Sequence, residues 1–202
     1  MNNSPSLSEL AGIIVGDGSI NVYPKINHYR FKITLNSNEK EYAEYIQYIF
    51  RKIFKEDLVL KKRKNENTLD LFCFKRKTIR DLLRLGFVAS PKKNRVKIPD
   101  KFINKKYGKH VLRGCFDTDG CVVITNNNGI KYPRLELKIM QSPLQRQIFR
   151  LLDIYGFNFK AYQIGGGEVR VQINGKHQSK KWAEEIGFSN NNKLLKLKRL
   201  KN

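Results

Sequence analysis

Residues 10–18 read LAGIIVGDG and residues 112–120 read LRGCFDTDG. Each is an apolar run ending in a small or polar residue, an aspartate and a glycine. Gly12 and Gly114 are 102 residues apart, and so are Asp17 and Asp119, and Gly18 and Gly120. The next helical pattern keeps that register. Ile46, Ile49, Phe50 and Ile53 form an i, i+3, i+4, i+7 stripe, answered by Ile148, Leu151, Leu152 and Tyr155. Leu85-Gly86-Phe87 is answered by Ile186-Gly187-Phe188, at an offset of 101, with each glycine placed to end a helix in the left-handed region. The chain is therefore written twice. The boundaries expected are a first repeat over 1–97, a linker over 98–108 and a second repeat over 109–202.

Each repeat reads α-β-β-α-β-β-α, an α+β class. In the first, Ser6-x-x-Glu9 after Pro5 reads as a capping box opening a helix to about Val15, ended by Gly18. Strands follow near 19–24 and 29–36, then a helix near 39–54, a hairpin of 57–64 and 68–75, and a helix near 77–85. The second repeat gives a helix over 109–118, strands over 120–125 and 134–140, and a helix over 143–155. A hairpin of 160–164 and 168–174 and a helix over 178–186 complete it. Gly165-Gly166-Gly167 reads as a hairpin turn, because no Gly-Lys-Ser/Thr follows as in a phosphate loop.

Composition narrows the partners. The 202 residues carry 40 Lys+Arg against 18 Asp+Glu, a formal charge of +22, with 40% hydrophobic residues. That is enough apolar material for a packed core, and so large a positive excess calls for a polyanionic partner. Nucleic acid fits best; ribosomal and membrane-surface proteins share the signature. Three cysteines, an odd number without a CxxC, point to a reducing intracellular compartment, organelle matrix or prokaryotic cytoplasm alike. Three scattered histidines form no metal-binding pattern. No apolar run approaches a membrane span, and MNNSPSLSEL has no signal-peptide core.

The sheets alternate apolar and basic-polar faces, as in Arg30-Phe31-Lys32-Ile33-Thr34-Leu35. One face packs on helices; the other can lie in a DNA major groove, where such side chains meet base edges and phosphates. The candidates are Lys25, Arg30, Lys32, Thr34, Lys61, Arg63 and Lys75 in the first repeat. In the second they are Arg134, Lys138, Gln163, Arg170 and Gln172.

Gly12 and Gly16 are four apart, and Gly114 and Thr118 take the same places in the second copy. Small residues at that spacing let two helices touch backbone to backbone. A carboxylate at a helix C-terminus is unfavourable by roughly 0.3–1 kcal/mol. Packing the two helices through these seams brings Asp17 to Asp119, and like charges so close call for a cation. Hard oxygen ligands suit Mg²⁺, with water and phosphate completing the shell. A metal held by two carboxylates beside a DNA-sized basic surface implies phosphodiester hydrolysis, one carboxylate per strand.

LAGIIVGDG and LRGCFDTDG resemble the two motifs of the LAGLIDADG homing endonucleases in their single-chain, two-repeat form, over essentially the whole chain. The stretches LGFVASPKKNRVKIP and IGFSNNNKLLKLK add to the likeness. The resemblance implies a monomer that cuts a long double-stranded DNA target across the minor groove, reading it through two basic sheets. An intron-encoded or a free-standing gene is expected over an intein, since splicing segments do not flank the repeats. Asp17 and Asp119 would bind metal, assisted by the carbonyls of Gly16 and Thr118. Mg²⁺ would be the cofactor, Mn²⁺ a substitute, and Ca²⁺ a binder without cleavage. The family's lysine falls on Lys97, with Lys93 as the alternative, and on Lys196 or Lys193 in the second repeat. A Gln closing the second strand falls on Gln141, answered in the first repeat by Asn36 or Ser37. The first motif departs in having Val15 where the second has Asp117.

Three readings compete. A maturase that binds its own intron RNA would use the same basic sheets, but single-stranded RNA readers expose aromatics, and here Phe and Tyr fall mostly at apolar-face positions. A catalytically inactive DNA-binding protein would have no use for two converging carboxylates. A nuclease reading Glu136-Leu137-Lys138 as its E-x-K rests on a tripeptide common in alternating strands.

Overall fold

A computed structural model describes residues 3–199. The first repeat contains α1 (Pro5–Gly16), β1 (Gly18–Tyr23), β2 (His28–Asn36), α2 (Lys40–Phe54), β3 (Val59–Lys62), β4 (Thr68–Cys73) and α3 (Arg76–Arg84). The second contains α4 (Gly108–Thr118), β5 (Gly120–Asn127), β6 (Ile130–Met140), α5 (Pro143–Ile154), β7 (Phe159–Gln163), β8 (Glu168–Asn174), α6 (Lys176–Glu185) and α7 (Asn191–Lys198). Each repeat has one antiparallel four-stranded sheet, in the orders β1-β2-β4-β3 and β5-β6-β8-β7. No described helix is long and apolar enough to cross a membrane.

Three differences from the sequence reading have local causes. The N-cap of α1 is Ser4, whose Oγ accepts the Leu7 N–H at 3.2 Å, with Pro5 in the first turn. Glu9 caps nothing and lies buried against α4 instead. The hairpin of β5 and β6 runs through 126–133, a stretch expected to be loop. Asn128-Gly129 closes it, both with positive φ, as a tight two-residue turn requires. Finally, α7 follows α6 as a further helix, opened by the Asn190 side chain accepting the Asn192 N–H at 3.2 Å.

The core is continuous between the repeats. Residues Leu7–Val15 of α1 are buried all round, because one side meets α4 and the other its own sheet and α2. Strand alternation sends Phe31, Ile33 and Leu35 inward to pair with Cys73, Leu71 and Leu69. Leu135, Leu137 and Ile139 do the same opposite Ile173, Val171 and Val169. Trp182 on α6, fully buried, fills the second half against Phe116 and Phe157. The segment after α3 docks on the other repeat. Gln147 of α5 accepts the Ile98 N–H and donates to the Ile98 carbonyl, at 2.7 and 2.8 Å.

Candidate active site and nucleic-acid interface

The site begins with two glycines. A Cβ on Gly12 would stand 2.2 Å from the Val111 carbonyl oxygen, and one on Gly114 2.2 Å from that of Glu9. The backbones of α1 and α4 are in direct contact there. At the end of the same seam a Cβ on Gly16 would meet Thr118 Oγ1 at 2.2 Å and Asp119 Oδ2 at 3.0 Å. Asp17 and Asp119 cap the C-termini of the two helices and meet at this point. Asp17 is half-buried. Asp119 is open on its outer side, on the floor of a cleft of about 380 Å³ also lined by Gly16, Lys92, Lys93 and Lys138.

Two lysines cover the helix ends. Lys92 Nζ donates to the carbonyls of Ile14, Val15 and Gly16 at 3.3, 3.2 and 3.2 Å. Lys193 Nζ donates to those of Phe116, Asp117 and Thr118 at 3.0, 2.6 and 2.8 Å. They satisfy carbonyls that have no partner inside the helix and offset its negative end. Sequence reading offered Lys97 or Lys93 in the first repeat and Lys196 or Lys193 in the second; of these the structure brings only Lys193 to a helix end, and Lys92 takes the first. Lys97 is exposed beside a recess behind Val15 and Val88, Lys93 is an exposed part of the cleft wall, and Lys196 is exposed on α7. The sequence held the answer: the 101 offset that pairs Gly86 with Gly187 pairs Lys92 with Lys193.

Electrostatics mark the carboxylates as strained. Burial and the neighbouring Asp119 charge push the Asp17 carboxyl up to about 7, with Glu39 adding to the rise and Lys193 and Lys92 opposing it. Burial raises Asp119 too, against Lys92 and Lys193. Burial lowers both lysines, against the pull of the carboxylates. Glu39 was missed in the sequence. It is the 102-offset counterpart of Gln141, so one site has an extra negative charge where the other has a neutral amide. Gln141 itself is exposed, bonded through its N–H to the Gly167 carbonyl at 2.8 Å, and stands over the glycine turn. Asn36 caps the short turn that leads to Glu39, and Ser37 pairs with Asn67.

The two motifs are braced differently. Asp117, buried, accepts the N–H groups of Ser189 and Asn190, each at 3.0 Å. In the first repeat Val15 stands at that place, and the matching loop residue is Val88, against which it lines a small recess. The change from Asp to Val is thus accompanied by a change from polar to apolar in the loop it holds. The C-terminal segment also crosses to the first repeat. Ser189 Oγ donates to Glu9 Oε1 at 2.5 Å, Tyr45 donates to the same oxygen at 2.9 Å, and Asn190 Nδ2 donates to Glu39 Oε1 at 2.6 Å.

On the sheets, Arg30, Lys32, Thr34, Lys61 and Arg63 share the outward face of the first, and Arg134, Lys138, Arg170 and Gln172 that of the second. Lys25 lies in the turn between β1 and β2. Two assignments are corrected. Lys75 precedes α3 outside the strand, and Gln163 pairs with Val169 on the helix-facing side, leaving Tyr162 outward opposite Arg170. Each outward face also centres on a carboxylate. Asp70 takes Thr34 at 2.8 Å and Arg63 at 2.6 and 3.2 Å, and these bonds hold it below the usual range although burial alone would raise it. Glu136 takes Gln172 at 2.9 Å and Arg134 at 2.5 Å. Aromatics are outward too: Tyr23, Phe74, Tyr132 and Tyr162 are exposed. Most of the chain's Phe and Tyr are nonetheless buried or packed against the core, as expected.

The oxygen-rich cradle at Gly16 and Asp119 fits a small hard cation. Among the described residues no three His, Cys, Asp or Glu side chains cluster as a metal cage, so two carboxylates, carbonyls and water or phosphate would make the shell.

A carboxylate pair at a helix seam, flanked by two basic sheets, defines the class: a two-repeat α+β protein built to handle nucleic acid. The sequence pattern of the LAGLIDADG DNA endonuclease family matches residues 7–180, and the chain belongs to that family. Two DNA polymerases are similar over a small part of their length. That of Methanocaldococcus jannaschii is 29% identical over 175 residues, and that of Thermococcus aggregans 28% over 198. These stretches are 77% and 89% of this chain but only 9% of each polymerase. Among solved structures, the homing endonuclease I-WcaI bound to its DNA recognition sequence superposes with a TM-score of 0.68 at 21% identity, covering 94% of this chain and 85% of that one. I-DmoI in complex with DNA and Mn gives 0.64 at 16% identity, covering 92% and 98%. At such identities the likeness is one of fold.

Proposed function

We propose that this protein is a site-specific, Mg²⁺-dependent endonuclease that cuts both strands of a long double-stranded DNA target as a monomer. The observation that carries the reading is the meeting of Asp17 and Asp119 at the seam between two outward-facing basic sheets. The sheets follow the major groove on either side, and the carboxylates face the minor groove between. Asp17 and Asp119 would hold the metal with the carbonyls of Gly16 and Thr118; Mn²⁺ would substitute, and Ca²⁺ would bind without supporting cleavage. When bound, such an ion would supply charge for a leaving oxygen and lower the pKa of an attacking water. Lys92 and Lys193 fix the helix ends and set positive charge against the negative charge that develops on the phosphate.

The test is incubation with plasmid carrying the uninterrupted host gene. Linearisation in Mg²⁺ but not Ca²⁺, abolished by Asp119→Asn while binding persists, supports the reading. No cleavage of any candidate DNA, with tight binding to the protein's intron RNA, identifies a maturase instead.

A further inference from the structure

The two sheets are not chemically alike at matching places. In the first, Phe72 lies outward, paired with Lys32 on one side and Val59 on the other. Phe74 continues the row, its ring stacked on that of Phe72 with centroids 5.7 Å apart. Val59 is 58% exposed and Phe74 56%. Together they form an apolar patch on a face that otherwise carries Arg30, Lys32, Thr34, Lys61, Arg63 and Asp70. In the second sheet Arg134 pairs with Asn174 as Lys32 pairs with Phe72, and Lys160 pairs with Gln172 as Lys61 pairs with Asp70. By that register Asn174 occupies the place of Phe72, with Asn158, the residue before β7, beside it as Val59 is beside Phe72, whereas beyond Asn174 the chain turns at Gly175 into α6 and offers no strand counterpart of Phe74. The first repeat carries apolar side chains at Val59, Phe72 and Phe74, where the second carries the amides of Asn158 and Asn174 and no counterpart of Phe74.

Exposed apolar surface without a partner weakens solubility, and here it interrupts a face whose other groups are suited to DNA. The major groove offers one apolar feature, the C5-methyl group of thymine. We propose that Val59, Phe72 and Phe74 read thymine methyls in the half-site bound by the first repeat, whereas the second repeat meets the matching positions with hydrogen bonds. The inference rests on the DNA reading above and makes the target asymmetric in chemistry as well as in sequence.

The experiment is selection of bound duplexes from a randomised library in EDTA, so that nothing is cut. It uses the whole protein and the surface variant Val59→Thr/Phe74→Ser, with melting curves to confirm folding. The wild type should enrich thymines in one half-site, and the variant should lose that preference in that half-site alone. Replacing those thymines by deoxyuridine should weaken wild-type binding about fourfold per methyl, and the loss should vanish in the variant, because the two changes remove one contact. Independent, additive losses overturn the proposal, as does a selected half-site without thymine. Equal binding to thymine and deoxyuridine duplexes also overturns it and indicates base stacking on Phe74. If the wild type enriches no sequence, the DNA reading fails and takes this inference with it.

Discussion

Asp17 carries the sharpest chemical consequences. In the proposed reaction it would bind metal as the anion, yet burial, Asp119 and Glu39 hold its proton to about pH 7. Cleavage should therefore rise with pH through neutrality at limiting Mg²⁺, and the acid limb should move to lower pH as Mg²⁺ increases. Glu39→Gln removes one of the raising charges and should move that limb to lower pH as well; an unmoved profile would exclude Glu39 from the site's electrostatics. Stability has the opposite slope. A carboxyl raised in the folded state favours folding below its unfolded value of about 4 and loses that contribution as pH climbs towards 7. Asp17→Asn should flatten the fall in melting temperature between pH 5 and 8, and Mg²⁺ should raise the wild-type melting point at pH 8. For the lysines, Lys193→Met should lower kcat about 10²–10³-fold with little loss of binding, whereas Lys97→Met and Lys196→Met should leave kcat nearly unchanged. Single-turnover rates on a selected duplex measure all three.

Among the elements, α1 and α4 leave no room for a methyl group at their crossing. Gly12→Ala drives a carbon into the Val111 carbonyl and Gly114→Ala into that of Glu9. Either should cost about 3 kcal/mol and lower the melting temperature by roughly 6–12 °C for a chain of this size. Gly129→Ala, in the open turn of β5 and β6, should cost much less, through its positive φ alone. These cases show what was legible beforehand. The helix seam was readable because the small residues repeat at a spacing that only close packing explains, and the motif carboxylates follow from it. The β5–β6 hairpin was readable too, from Asn128-Gly129, but Pro133 masked the strand around it. Glu9 was misread because a capping pattern and a buried hydrogen-bond acceptor can share one sequence. Glu39, the carboxylates Asp70 and Glu136, and the bond from Asn190 to Glu39 were hidden for a different reason. Each has a partner 36 or more residues away, Thr34 for Asp70, Gln172 for Glu136 and Asn190 for Glu39, and local pattern carries no trace of such a partner.

For the whole molecule, the charge of +22 and the two basic faces make a prediction about salt. If roughly 6–10 phosphates are contacted, affinity should drop about 10³–10⁵-fold between 50 and 200 mM salt. A flat response in a filter-binding titration would count against the two-sheet interface. The molecule is also lopsided at its centre, with Glu39 near Asp17 and Gln141 at the corresponding place in the other half. The two strands should therefore be cut at different rates, seen as a nicked-circle intermediate on supercoiled plasmid, and Glu39→Gln should shorten its lifetime.

The exchange of Asp117 for Val15, with the loops that face them, bears on how such a chain can be rebuilt. Ser189 and Asn190 reach Asp117 in their own repeat and Glu9 and Glu39 in the other. The second repeat has therefore adapted to its neighbour as well as to itself. A homodimer made from two copies of it would meet Gln141 where Asn190 now finds Glu39. A chimera joining it to the front half of a relative would lose the acceptors that secure the segment bearing Lys193. Grafts that keep Glu9, Glu39 and Tyr45 with the C-terminal segment should remain folded and active, so the unit of recombination in this protein is wider than the repeat.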